Sequence, residues 1–221
     1  MKAGRIILLL LGVAVAATVW QQSDRTALPE PLQQGLTREE EAVRPHTSGE
    51  SSPKLVQSAR SQIGQTVRYD PAYEKLAYPM GDVPHERGVC TDVVIRALRE
   101  QNMDLQQLVH QDMKQHFAVY PKRWGLSKPD TNIDHRRVPN LITFFTRQGW
   151  AVLGGDLQAG DILTWNLNIN GRHLPHIGIV SDRKSASGRP LIIHNVGAGT
   201  KEEDFLRYGH PQTGHFRVRG L

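Results

Sequence analysis

Cysteine occurs once in the 221 residues, at Cys90, and aromatic side chains make up only 6% of the chain. One cysteine excludes an internal disulfide, so Cys90 is either an inert packed side chain or a free thiol kept for its reactivity. The sequence has no Gly-x-Ser-x-Gly elbow, no phosphate-binding Gly-rich Lys motif and no His-Glu-x-x-His pair, which argues against serine-hydrolase, nucleotide and metalloprotease chemistry. It also lacks the interleaved aromatic and basic residues of a single-strand nucleic-acid groove, so nucleic acid is not an expected partner. No apolar run reaches the roughly 20 residues of a membrane-spanning helix.

What the N-terminus does carry is an export pattern. Lys2 and Arg5 precede an apolar segment from Ile6 to Val15, and Ala14, Ala16 and Ala17 supply small residues for cleavage. Residues 1–20 are therefore expected to be a signal peptide or, if uncleaved, an N-terminal anchor in the inner membrane. Residues 21–53 are rich in Gln, Glu, Ser and Pro without an apolar period, the composition of a disordered polar linker. One folded domain is expected over residues 54–221. It holds 22 Lys and Arg against 16 Asp and Glu, a balance that favours anionic partners without bearing on the fold.

Within that domain the helical spacing comes first. Leu55 to Ile63 reads as a short helix closed by Gly64, and residues 66–89, with three prolines, as an ordered surface excursion. From Cys90, apolar Val93, Val94, Ala97 and Leu98 fall on one face of a helix that has the cysteine in its first turn. Further helices are expected at about Leu105 to Phe117 and from Pro139 through Phe145. After Gly160 the period becomes two, giving strands at Asp161–Trp165, His176–Val180, Leu191–Val196 and Phe216–Val218, with turns at Asn170-Gly171 and Ser187-Gly188. Helices followed by an antiparallel sheet make an α+β fold, with the helices on one sheet face.

A helix N-terminus favours a thiolate, so Cys90 stands where a nucleophile could be activated. It would need a histidine base and a third polar group to orient the imidazole. His176 opens a strand, and on the next strand His194 and Asn195 are alternative orienters, because neighbouring strand residues point to opposite faces. His173, His176, His194 and Cys90 also offer zinc-type donors, but His-Leu-Pro-His is not a helical pair, and no metal is expected. Arg87 and Arg136 could clamp a substrate carboxylate, and Asp92, in the first helical turn, could assist catalysis or compensate the helix dipole.

Ala59-Arg-Ser-Gln-Ile-Gly64, Cys90 opening a helix, Gly160-Asp-Ile-Leu163, His176-Ile-Gly-Ile-Val180 and Ile193-His194 resemble, in that order, the NlpC-type papain-fold cysteine peptidases. More closely, Arg68-Tyr-Asp-Pro-Ala-Tyr73, Gly81-Asp-Val-Pro, Arg87-Gly-Val-Cys-Thr-Asp-Val-Val94, Asp134-His-Arg-Arg-Val-Pro-Asn-Leu141 and His173-Leu-Pro-His-Ile-Gly look like a bacterial domain-of-unknown-function family of that superfamily. The resemblance implies Cys90 as nucleophile, His176 as base, His194 as third polar residue and Tyr69 on the oxyanion side. It implies a papain-like domain in the periplasm, acting as a monomer on peptidoglycan stem peptides without a cofactor. Val89 stands where the superfamily usually has Asp, and the preceding Gly-Gly is missing. The same fold could act on a lipid ester or protein thioester, or bind cell wall without catalysis.

Overall fold

The computed structural model describes residues 53–219, so the expected signal or anchor (1–20) and the linker up to residue 52 lie outside it. Four helices and a five-stranded antiparallel sheet make up most of the regular structure of the described residues. The helices are α1 (Lys54–Arg60), α2 (Cys90–Arg99), α3 (Leu105–His116) and α4 (Val138–Arg147). The sheet strands are β3 (Ile162–Ile169), β4 (Arg172–Lys184), β5 (Pro190–Asn195), β6 (Thr200–Glu203) and β7 (Gln212–Phe216), in the order β6-β5-β4-β3-β7. A separate pair, β1 (Arg68–Tyr69) and β2 (Arg87–Gly88), runs parallel and ties together the two ends of the excursion that precedes Cys90.

Alternation along the strands sorts the apolar residues to two faces. Ile162, Ile177, Ile179, Ile193 and Phe216 meet Val56 and Ala59 of α1, Val94 and Ala97 of α2, and Leu141 and Phe145 of α4 in the larger core. Leu163, Trp165, Leu167, Val180 and Ile192 form a smaller cluster on the other face, covered by Phe205 from the short 3-10 turn Phe205–Tyr208. The helices thus lie on one side of the sheet, and the return after β6 closes the other.

Several elements differ from their sequence expectations. β3 and β4 extend to Ile169 and from Arg172 because Asn170 and Gly171 both take positive φ, 51° and 76°, the geometry of a two-residue hairpin turn. The final strand sits at Gln212–Phe216 rather than Phe216–Val218. β6 was not anticipated, since Thr-Lys-Glu-Glu has no apolar alternation to reveal it.

α2 is buried nearly all round, from Cys90 through Leu98, and this includes Arg96. The Arg96 guanidinium reaches back into the excursion, donating to Asp82 Oδ2 at 2.9 Å, to Thr66 Oγ1 at 2.9 Å, and to the carbonyls of Val83 and Arg87 at 3.1 Å each. One charged side chain therefore satisfies backbone oxygens along a stretch with little regular structure of its own.

Candidate active site

Cys90 is the first residue of α2, and Val89 before it has no side chain that can cap. Asp92 fills that role from inside the helix, accepting the Val89 N–H at 2.6 Å. Arg136 holds Asp92 in turn by two bonds, Nε and Nη2 each 2.9 Å from the carboxylate oxygens, with both side chains at most 3% exposed. Arg136 and Asp92 therefore bind each other, and a substrate carboxylate could use this arginine only by displacing Asp92. Arg87, the other arginine considered as a clamp, is paired with Asp70 at 3.2 Å and with Glu74. Gly88 must lack a side chain, since a Cβ there would stand 2.9 Å from Asp92 Oδ2.

Two strands away, His176 Nε2 and His194 Nδ1 are 2.8 Å apart, and His194 Nε2 lies 3.0 Å from Glu203 Oε1. The chain of three links β4, β5 and β6. His194 rather than Asn195 meets His176: Asn195 points to the opposite face and donates from Nδ2 to the Gly88 carbonyl at 3.0 Å, anchoring the approach to Cys90. Its Oδ1 is buried without a protein partner. Phe205 packs on both imidazoles, with ring centres 5.1 Å from His176 and 4.5 Å from His194. Burial, followed by the charges of His194 and His210, holds the His176 imidazole well below its ordinary 6.5, so its neutral form prevails.

The geometry does not join Cys90 to His176 directly. Alternation sends the His176 ring to the Gly178 and Val180 face, beside Trp165, whereas Cys90 packs with Ile177 and Ile179 on the other. Pairing of β4 with β5 stops at Ile179 and Ile193, and the Ile177 N–H, next along the chain from His176, is one of the backbone groups that pull the Cys90 thiol down. Among the described residues no hydrogen bond links that sulfur to either His176 ring nitrogen, and Nδ1 of His176 takes part in none. Burial pushes the Cys90 thiol up to about 12, against the opposing pull of the N–H groups of Ile177, Thr91 and Cys90 itself. At rest the sulfur is a thiol and the His176 imidazole is neutral.

Tyr69, expected on the oxyanion side, lies close enough to Cys90 and Asp92 for their charges to act on it. Burial first, then those charges, raises its phenol, so the hydroxyl keeps its proton as a donor. His173 stands apart, its ring 3.4 Å from Asn166 Nδ2 at the hairpin tip. Among the described residues no three His, Cys, Asp or Glu side chains are arranged to hold a metal ion.

A sequence model described as a domain of unknown function, DUF1287, matches residues 56–218, which takes in every element above but the first two residues of α1. The chain belongs to the DUF1287 family. One relative is a protein of Escherichia coli strain K12 that carries the name uncharacterized protein YijF. It is 56% identical over 167 residues, covering 74% of this chain and 80% of its own length. For this DUF1287 chain, the sequence singled out Cys90, His176 and His194 but missed Glu203, which sits on the one sheet strand without an apolar signature.

Gly178 fixes how closely β5 approaches the histidines. A Cβ there would meet Ile192 Cγ2 at 2.6 Å and His194 Cβ at 3.1 Å. Gly178→Ala should therefore destabilise the fold by about 1–3 kcal/mol through overpacking. A urea titration would read this as a lower midpoint at unchanged slope. An unchanged midpoint would mean that β5 moves freely relative to β4.

Proposed function

We propose that this DUF1287 chain is an exported cysteine hydrolase of the papain-like, NlpC-type kind that cuts peptide bonds in the stem peptides of peptidoglycan. The observation that carries the reading is the buried His176–His194–Glu203 chain, whose first member directly precedes Ile177, a core neighbour of the only cysteine. A base with an orienter behind it is what acyl transfer from a cysteine through a thioester requires. The helices on one face of an antiparallel sheet, with Cys90 at a helix start, support the papain-like architecture.

In this mechanism the free Nδ1 of His176 accepts the Cys90 proton as the sulfur attacks a substrate carbonyl. The tetrahedral oxygen is met by the Cys90 N–H and the Tyr69 hydroxyl. His176 returns the proton to the leaving amine, and water deprotonated by the same imidazole cleaves the thioester. Because both groups are neutral at rest, proton transfer accompanies attack instead of preceding it, and the segment carrying Cys90 must shift relative to β4 to bring the sulfur to Nδ1 when substrate binds. Such catalytic bonds tighten in the substrate complex. No step calls for a metal or cofactor. The protein acts as a monomer in the periplasm, held at the inner membrane if its N-terminal segment is uncleaved, and the domain's excess of basic residues suits an anionic wall polymer.

A second reading, a non-catalytic wall-binding domain, is favoured by the burial of the sulfur and the upward shift of its thiol. The test is incubation of the purified protein with sacculi, before and after treatment with iodoacetamide under conditions that label Cys90, with mass spectrometry of what is released. Peptide fragments from the untreated protein alone would support the hydrolase and identify the bond. Binding to sacculi without release would favour the wall-binding domain. Release of acyl chains in place of peptides would redirect the same chemistry to a lipid ester.

A further inference from the structure

From the hydrogen-bond geometry we infer that Glu203 is a positioning residue: through His194 it fixes the tautomer of His176, leaving Nδ1 of His176 as its unprotonated nitrogen. The inference deepens the hydrolase reading above and rests on it for its catalytic meaning, but the tautomers can be tested independently.

An ionised carboxylate only accepts hydrogen bonds, so the 3.0 Å contact with Glu203 Oε1 requires a proton on His194 Nε2. In the neutral ring the other nitrogen, Nδ1, is then an acceptor. Its 2.8 Å contact with His176 Nε2 is satisfied only if that atom carries the proton. A neutral His176 protonated at Nε2 has its lone pair at Nδ1. Among the described residues this is the one nitrogen of the pair that takes part in no hydrogen bond. The direction of the whole relay is set at its far end, by a side chain on the edge strand β6.

Burial makes the ordering strict. His176 is 3% exposed and His194 fully buried, so water cannot readily replace a lost partner at either ring. Without an acceptor at position 203, His194 can move its proton to Nδ1 and donate to His176 Nε2. His176 would then carry its own proton on Nδ1, where a base must have none. A wrong imidazole tautomer costs serine proteases on the order of 10⁴ in turnover, which shows how much such a fixed proton can matter.

The probe is nitrogen-15 NMR of histidine-labelled full-length protein at a pH above the ordinary imidazole range, for wild type and Glu203→Met, which keeps the bulk and removes the acceptor. Iodoacetamide alkylation of Cys90 is timed in parallel, with His176→Ala as reference. Wild type should show protonated Nε2 and bare Nδ1 on both rings. Glu203→Met should shift His176 toward the Nδ1-protonated form and slow alkylation at least ~10-fold, within the range that general-base catalysis contributes. A wild-type His176 protonated at Nδ1 overturns the inference even if the variant fails to fold. So does a folded Glu203→Met protein with unchanged tautomers. If the tautomers behave as stated but His176→Ala leaves alkylation unchanged, Glu203 keeps its role and the hydrolase reading falls instead.

Discussion

In the proposed hydrolase, replacing His176 by alanine should lower the rate of Cys90-dependent hydrolysis by about 10²–10⁴-fold, the contribution usual for a positioned general base. The reason lies in the resting protonation state. With the thiol pushed up to about 12, almost no thiolate exists at neutral pH, so the reaction depends on a base acting at the moment of attack. His176, held well below 6.5 by burial, remains a competent proton acceptor into mildly acid solution. Wild-type activity should accordingly persist as pH falls past 6.5, where an ordinary histidine would become protonated, and disappear only at lower pH. In His176→Ala the residual rate should climb with pH across the alkaline range, following the small thiolate fraction. A pH series of peptide release by the two proteins checks both limbs. Equal rates at neutral pH would remove His176 from the mechanism.

Arg136→Met should destabilise the domain by about 3–5 kcal/mol, because it strips the partner from a buried carboxylate. Asp92 is 2% exposed and ties three parts of the site together: it caps the start of α2 at Val89, leaves room only for glycine at position 88, and receives both arms of the Arg136 fork. Arg136 and the N–H of Val89 hold its carboxyl below the ordinary 3.8 against the opposing effect of burial. The sign follows directly. Stability from this pair is present above the ordinary carboxylate value and is lost as pH falls through the lowered folded value. Removing the arginine abolishes that protection. Chemical denaturation at neutral pH would measure the loss, and the double variant Asp92→Leu with Arg136→Met should recover much of it, since the uncompensated charge is then gone. A loss under about 1 kcal/mol for the single variant would be the value of a solvent-exposed pair and would contradict the burial.

Much of this site could be read before any coordinates. Cys90 at a helix start follows from the spacing of Val93, Val94, Ala97 and Leu98, and all four are buried as the pattern requires. The strand period places His194 and Asn195 on opposite faces, and the structure assigns His194 to His176 and Asn195 to the Gly88 carbonyl. Periodicity failed wherever polar residues do structural work. Glu203 lies on an edge strand whose side chains are all polar or charged, so no alternation marks it. Arg136 looks like a surface clamp in sequence because arginine is mostly exposed; only the fold reveals a buried carboxylate facing it. The offset between Cys90 and His176 is likewise invisible to a one-dimensional pattern, since it depends on which face of the sheet α2 covers.

The guanidinium of Arg96 gives the segment before Cys90 a property its irregular backbone would not suggest. A stretch with few elements of its own ordinarily opens by itself, at low free-energy cost and ahead of the rest of a domain. Here its carbonyls and Asp82 end on a side chain rooted in the middle of α2, and that helix is buried on both sides of the attachment. Loop and helix therefore form one cooperative unit. The approach to Cys90 is stiff, and a molecule arriving there would meet a fixed contour.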